Sequence, residues 1–188
     1  MTEIEIRNAL VKGLNEYLDG IEVYRSGQVS EEQSFPYIIY TVTATGGNGN
    51  TMGHFSVCRK GDDAEEIREE QKSMAISLTV CSQNRTDREG KHIQGEDEAQ
   101  EIAERAHGWF SHVGYDYFVK CGIVIADVME VRGRNTLMGH EEANRKGFDV
   151  ICNYISEERR DILTVGRAIA KREKEEKDER CSGISKVG

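Results

Sequence analysis

Apolar residues recur every four positions at the start of the chain, at Ile6, Leu10, Leu14 and Leu18, with Ala9, Val11 and Tyr17 widening the stripe. A helix face repeats about every 3.6 residues, so this spacing predicts an amphipathic helix that ends near Asp19 and Gly20. The period then shortens. A short strand is expected at Ile21–Tyr24, and "SFPYIIYTVTAT" reads as a longer one, dense in aromatic and β-branched side chains. Pro36 stands at its start, where a missing N–H costs a sheet little. "GGNGN", Gly46–Asn50, predicts a turn, and "HFSVCRK" a weaker returning strand. "GDDAEEIREEQK" is polar along its length and reads as loop or a short solvated helix.

Alternation resumes in "SMAISLTVCS", which places Met74, Ile76, Leu78 and Val80 on one face. The polar "QNRTDREGKHIQGED" reads as a long loop leading into a second helix. There Ala99, Ile102, Ala103, Ala106, Trp109, Phe110 and Val113 fall at helical spacing. "YFVKCGIVIADVMEV" predicts a strand buried over part of its length on both faces. A polar approach, "GHEEANRKG", then leads into Phe148, Val150, Cys152 and Tyr154, which alternate with Asp149, Ile151 and Asn153 in a strand expected at Phe148–Ile155.

These elements predict an α+β domain: a largely antiparallel sheet with two helices packed on one face, plus a charged C-terminal extension. Two units are expected, a domain over 1–164 and an arm over 165–188. From Lys171 to Arg180 the arm carries ten charges in a row, five of each sign, with opposite charges four apart at Lys171/Glu175 and Arg172/Glu176. Each such pair adds only about 0.2–0.5 kcal/mol to a helix.

The chain's 188 residues are enough for a real core without staples. Its five cysteines show no paired spacing, so a reduced site of synthesis without disulfides is expected. No apolar run reaches membrane-spanning length, and the amphipathic N-terminus does not read as a signal peptide; no membrane partner is expected. A net charge of -9 argues against gripping DNA through its phosphates.

Candidate chemistry changes this picture little. His140 opens "HEEAN", the start of a zinc-protease pattern, but the second histidine position holds Asn144. His107 and His112 fall on different sides of a helix, and His54 with Cys58 makes only two ligands. "GDD" at Gly61–Asp63 opens an acidic run and reads more simply as a turn than as a metal-holding hairpin. "GGNGN" lacks the Lys-Ser/Thr of a phosphate loop. No catalytic residue, metal or cofactor is expected.

Three segments carry a resemblance. "FPYIIY" at Phe35–Tyr40, "AERAHGWF" at Ala103–Phe110 and "EANRKGFDV" at Glu142–Val150 occur in this order. Together they resemble the tail terminator (neck) proteins of long-tailed bacteriophages, over the stretch from Ile4 to Ile162. The charged tail beyond Ile162 lies outside the shared motifs.

The resemblance implies a structural virion protein rather than an enzyme. Such a protein forms a ring, commonly of six subunits, that caps the tail tube and joins it to the head connector. It implies three protein partners: further copies of itself, the tail tube protein and the head–tail connector or stopper protein. Genomic DNA would pass through the lumen without specific binding. The expected location is the head–tail junction of the virion, after assembly in the host cytoplasm.

Ring assembly needs two different complementary surfaces on each subunit. Arg132, Arg134, Glu141, Glu142, Arg145 and Lys146 are the candidates for one, and Lys171, Arg172, Glu175 and Glu176 for a contact through the arm. The alternatives are another tail-completion or minor connector protein, and a small metal-dependent hydrolase or nuclease using Asp62 or Glu141.

Overall fold

Helix α1 (Glu3–Leu18) begins at Thr2, whose hydroxyl accepts from the Glu5 N–H while the Glu5 carboxylate accepts from the Thr2 N–H. This reciprocal pair satisfies two backbone donors that a helix start otherwise leaves open. Asp19 and Gly20 end it with φ of 30° and 84°, a reversal that glycine makes without strain. Ile6, Leu10, Leu14 and Leu18 are all buried, so the predicted stripe is core. This computed structural model describes residues 1–28, 33–47, 52–60, 63–86, 90–135 and 144–162.

Strands β1 (Glu22–Arg25), β2 (Tyr37–Gly47), β3 (His54–Lys60) and β4 (Asp63–Ser82) follow, then a small hairpin of β5 (Arg85–Thr86) and β6 (His92–Ile93). Helix α2 (Gly95–Gly108) runs into a π turn at Trp109–Val113, followed by α3 (Tyr115–Lys120), β7 (Ile123–Val128), β8 (Arg132–Gly133) and β9 (Asn144–Ile162). The main sheet has the order β1-β2-β4-β9-β7, with β3 also on β4 and β8 also on β9. Among the described residues, only β1 and β2 pair in parallel; the other pairs are antiparallel. β2 and β3 lie end to end along one edge of β4, since Tyr37–Gly47 faces its second half and His54–Lys60 its first.

The register sets Leu78 opposite Phe148 and Ile76 opposite Val150. The two predicted alternations are therefore one surface, buried with residues of α1 and α2 in a single core. The α+β architecture is the one expected, with α3 as a third, short helix.

Several elements differ from expectation. From Asp63 on, "GDDAEEIREEQK" forms the first half of β4, not a loop or helix; its Gly61 and Asp62 lie outside the described residues. Its low strand propensity is overridden by pairing with β3 on one side and β9 on the other. "YFVKCGIVIADVMEV" is divided: Tyr117, Phe118 and Val119 belong to α3, and Gly122 at φ 66° turns the chain into β7. The Tyr117 hydroxyl donates to the Ala9 carbonyl at 2.8 Å, and Phe118 stacks on Phe110; these contacts hold the segment helical despite its β-favouring side chains. β7 buries one face only, leaving Val124 exposed. The predicted loop before α2 contains the β5–β6 hairpin. The last strand extends beyond Phe148–Ile155 at both ends, to Asn144 and Ile162.

The start of α2 is fixed to the end of β4. Gly95 donates its N–H to the Asn84 side chain at 2.8 Å, and Arg85 forks onto Glu98 at 2.6 and 2.7 Å. A Cβ on Gly95 would come within 2.6 Å of the Gln83 backbone, so only glycine allows this approach. The Arg85 guanidinium, aided by the Ser82 hydroxyl, holds the Glu98 carboxyl below its ordinary value against the opposing effect of burial.

Candidate assembly surfaces

The polar approach to β9 does not form one surface. Arg134 lies across the helix-free face of the sheet. It donates to Ser77 Oγ at 2.5 Å, Thr79 Oγ1 at 3.1 Å and Asp149 Oδ1 at 2.7 Å. Gly147 makes room for it, because a Cβ there would stand 2.8 Å from the Arg134 side chain. Arg145 occupies the same face in a row with Cys81 and Tyr37, and its buried Nε has no hydrogen-bond partner.

Lys146 belongs to the opposite face, level with Val80, and reaches Glu96 at the start of α2 at 3.0 Å. Arg132 is exposed and paired loosely with Glu130 at 3.5 Å. Of the described candidates, Arg134 and Lys146 thus bind inward and organise the sheet, while Arg132 stands out in solvent. Glu141, Glu142, Lys171, Arg172, Glu175 and Glu176 lie outside the described residues, as does the arm over 165–188.

Burial alone would raise the Asp149 carboxyl, but hydrogen bonds from Ser77 and Arg134 outweigh it and hold the group below its ordinary value. A carboxyl depressed in the folded state adds stability that is fully present above its unfolded pKa and lost as pH falls through the folded one. The Arg134–Asp149 contact should therefore stabilise the fold at neutral pH and lose its contribution below about pH 4. Urea melts from about pH 7 to about pH 3 should show a shallower acid loss for D149N than for wild type. Equal slopes would show that this contact does not contribute to acid sensitivity.

Beyond the first turn of α1, the sheet continues as a three-stranded ribbon of β3 and the outer parts of β4 and β9. It is held by charge as well as by its backbone ladder. Arg160 forks onto Glu66 at 2.9 and 3.0 Å, and Arg68 meets Glu158 at 3.4 Å. Glu69 stands opposite Glu157, and Glu65 opposite Asp161, arrangements that destabilise a sheet by themselves. Arg159 lies between these pairs and contacts both Glu65 and Glu157, offsetting the repulsion.

Two apolar surfaces were not anticipated from the sequence. Val113, Tyr115, Val119 and Val124 are exposed around α3 and β7, and Phe55 and Val57 are exposed on β3. Gly114 and Gly122 bracket the α3 segment and were the signal that it is a separate element. Among the described residues, no group of three or more His, Cys, Asp or Glu side chains is placed to hold a metal ion. No described helix is long and apolar enough to cross a membrane.

An ionic ribbon at one end and apolar strand edges at the sides are surfaces suited to contacts with other proteins. The family model of the phage neck terminator proteins matches residues 8–176, and the chain belongs to that family, as a component of the phage tail and neck. The match reaches past Ile162, where the sequence resemblance ends. No curated protein matches the chain.

Proposed function

We propose that this chain forms a ring of identical subunits that caps the tail tube and presents a docking surface to the head connector. The observation that carries this reading is the family match over residues 8–176. The two unlike apolar edges support it, because a head-to-tail ring requires two different surfaces on each subunit. Six subunits is the number that the family resemblance implies. The net charge of -9 suits a channel wall that repels phosphates and lets a moving duplex pass without sticking. The charged segment 165–188 acts as an arm that docks on a neighbouring subunit or ring, where mixed charge sets register more than affinity.

Native mass measurement of the purified protein, alone and bound to tails, is expected to give a closed ring that binds duplex DNA only weakly. A chain truncated after Thr164 should melt close to wild type but assemble poorly onto tails. A protein that stays monomeric on tails would overturn the ring. Normal assembly of the truncated chain would overturn the arm, and failure to fold would place the tail in the domain.

A further inference from the structure

Strand β7 ends one side of the sheet, and β3 lies at the other. Beside β7 runs a groove of about 450 Å³, walled by Phe110, Tyr115, Phe118 and Val119 on the helix side and by the strand itself on the other. Tyr115 is 69% exposed and Val119 57%. An open strand edge over an apolar wall is suited to an added strand, whose main chain supplies hydrogen bonds and whose alternate side chains fill the groove.

We propose that neighbouring copies join edge to edge, with β3 of one copy added to β7 of the next and Phe55 and Val57 seated in this groove. The proposal rests on the ring reading above and names the surfaces that would close it. Three observations favour a second copy as the occupant.

The lengths match, at seven residues for β3 and six for β7. The faces match as well. Phe55 and Val57 lie opposite Arg68 and Glu66, on the side of β4 that carries Met74 and Ile76 further along. In a sheet continued across the joint they therefore point to the helix side, where the groove lies.

The directions also agree. β3 and β7 run oppositely within one sheet, β3 level with Asp63–Glu69 of β4 and β7 level with Lys72–Ile76 through β9. Rotation about an axis inclined to the strands, as in a closed barrel, takes up this step and brings them together antiparallel. Such a joint would also cover two strand edges that otherwise invite unspecific pairing.

Cys58 gives the test a handle, since it is a free, exposed thiol on β3. It lies on the helix-free side of the sheet, as does Val124 of β7, so V124C should place a second thiol across the joint. Air oxidation of assembled V124C is expected to give a covalent ladder of subunits that disappears in the V124C/C58S double variant. V57D should melt like wild type yet weaken the association constant of each joint about tenfold, the effect of roughly 1.4 kcal/mol per joint, so that assembly falls at fixed concentration. V119D tests the groove side by the same readout if V124C misfolds.

Wild-type mass, measured separately, distinguishes the two readings. Rings that resist V57D and V119D and show no Cys58-dependent link would overturn this joint while the ring stands. A link from the new thiol to Cys181 of the same chain would show that the groove takes the chain's own tail, and would overturn the joint as well. A wild-type protein that stays monomeric on tails would remove both.

Discussion

Replacing Phe148 by alanine is expected to lower the unfolding free energy by about 3–5 kcal/mol. Its ring is 1% exposed and meets His107 and Phe110 edge-on, with centroids 5.4 and 6.1 Å away. Leu78 stands opposite on β4, so the lost ring would leave a cavity between a paired strand and a helix. Neither wall closes easily, because β9 is held by its ladder and α2 by the Arg85–Glu98 fork. D149A, one residue along on the other face, removes a hydrogen-bonded partner of Arg134 and should cost about 1 kcal/mol. Urea denaturation of both variants gives the comparison. A larger loss for D149A would mean that β9 presents the opposite face to the core.

W109A should cost a similar amount, about 3–5 kcal/mol, for a different reason. Trp109 sits at the π turn that ends α2 and gathers an aromatic cluster. Its centroid lies 4.6 Å from Phe118, 4.7 Å from Phe110, 5.8 Å from Tyr117 and 6.2 Å from Tyr17. These rings join α1 to α3. Gly13 permits the approach, since a Cβ there would come within 2.5 Å of Tyr117 and 2.9 Å of Trp109. W109F keeps a ring in place and should recover much of the loss. Because this is the chain's only tryptophan, unfolding is best followed by far-ultraviolet circular dichroism. A W109A protein as stable as wild type would mean that the cluster does not hold the helices together.

The core was legible wherever one face is apolar. The stripe from Ile6 to Leu18 and the alternations at Met74–Val80 and Phe148–Tyr154 predict the buried surface because burial selects those side chains position by position. The first half of β4 was not legible. Its partners lie far along the chain, and the charges that pair it, Glu66 with Arg160 and Arg68 with Glu158, look like solvated residues until the strands are aligned. The same limit applies to the candidate surfaces. Arg134 and Lys146 read as a free polar rim from their neighbours in sequence, yet Ser77, Asp149 and Glu96 draw them inward. The apolar edge at α3 and β7 was hidden because Tyr115–Val119 has the side chains of a strand. What makes it helical is contact with Ala9, Phe110 and Trp109.

The ribbon has a consequence for the order in which the molecule comes apart. With ion pairs in place of an apolar stripe over much of its length, it is the part of the sheet whose local opening costs least, and its amides should exchange with solvent before those of the Leu78–Phe148 region. A contact that binds only the closed ribbon shifts that opening equilibrium by mass action. Joining β3 to a neighbour would therefore complete the folding of a subunit in the act of assembling it.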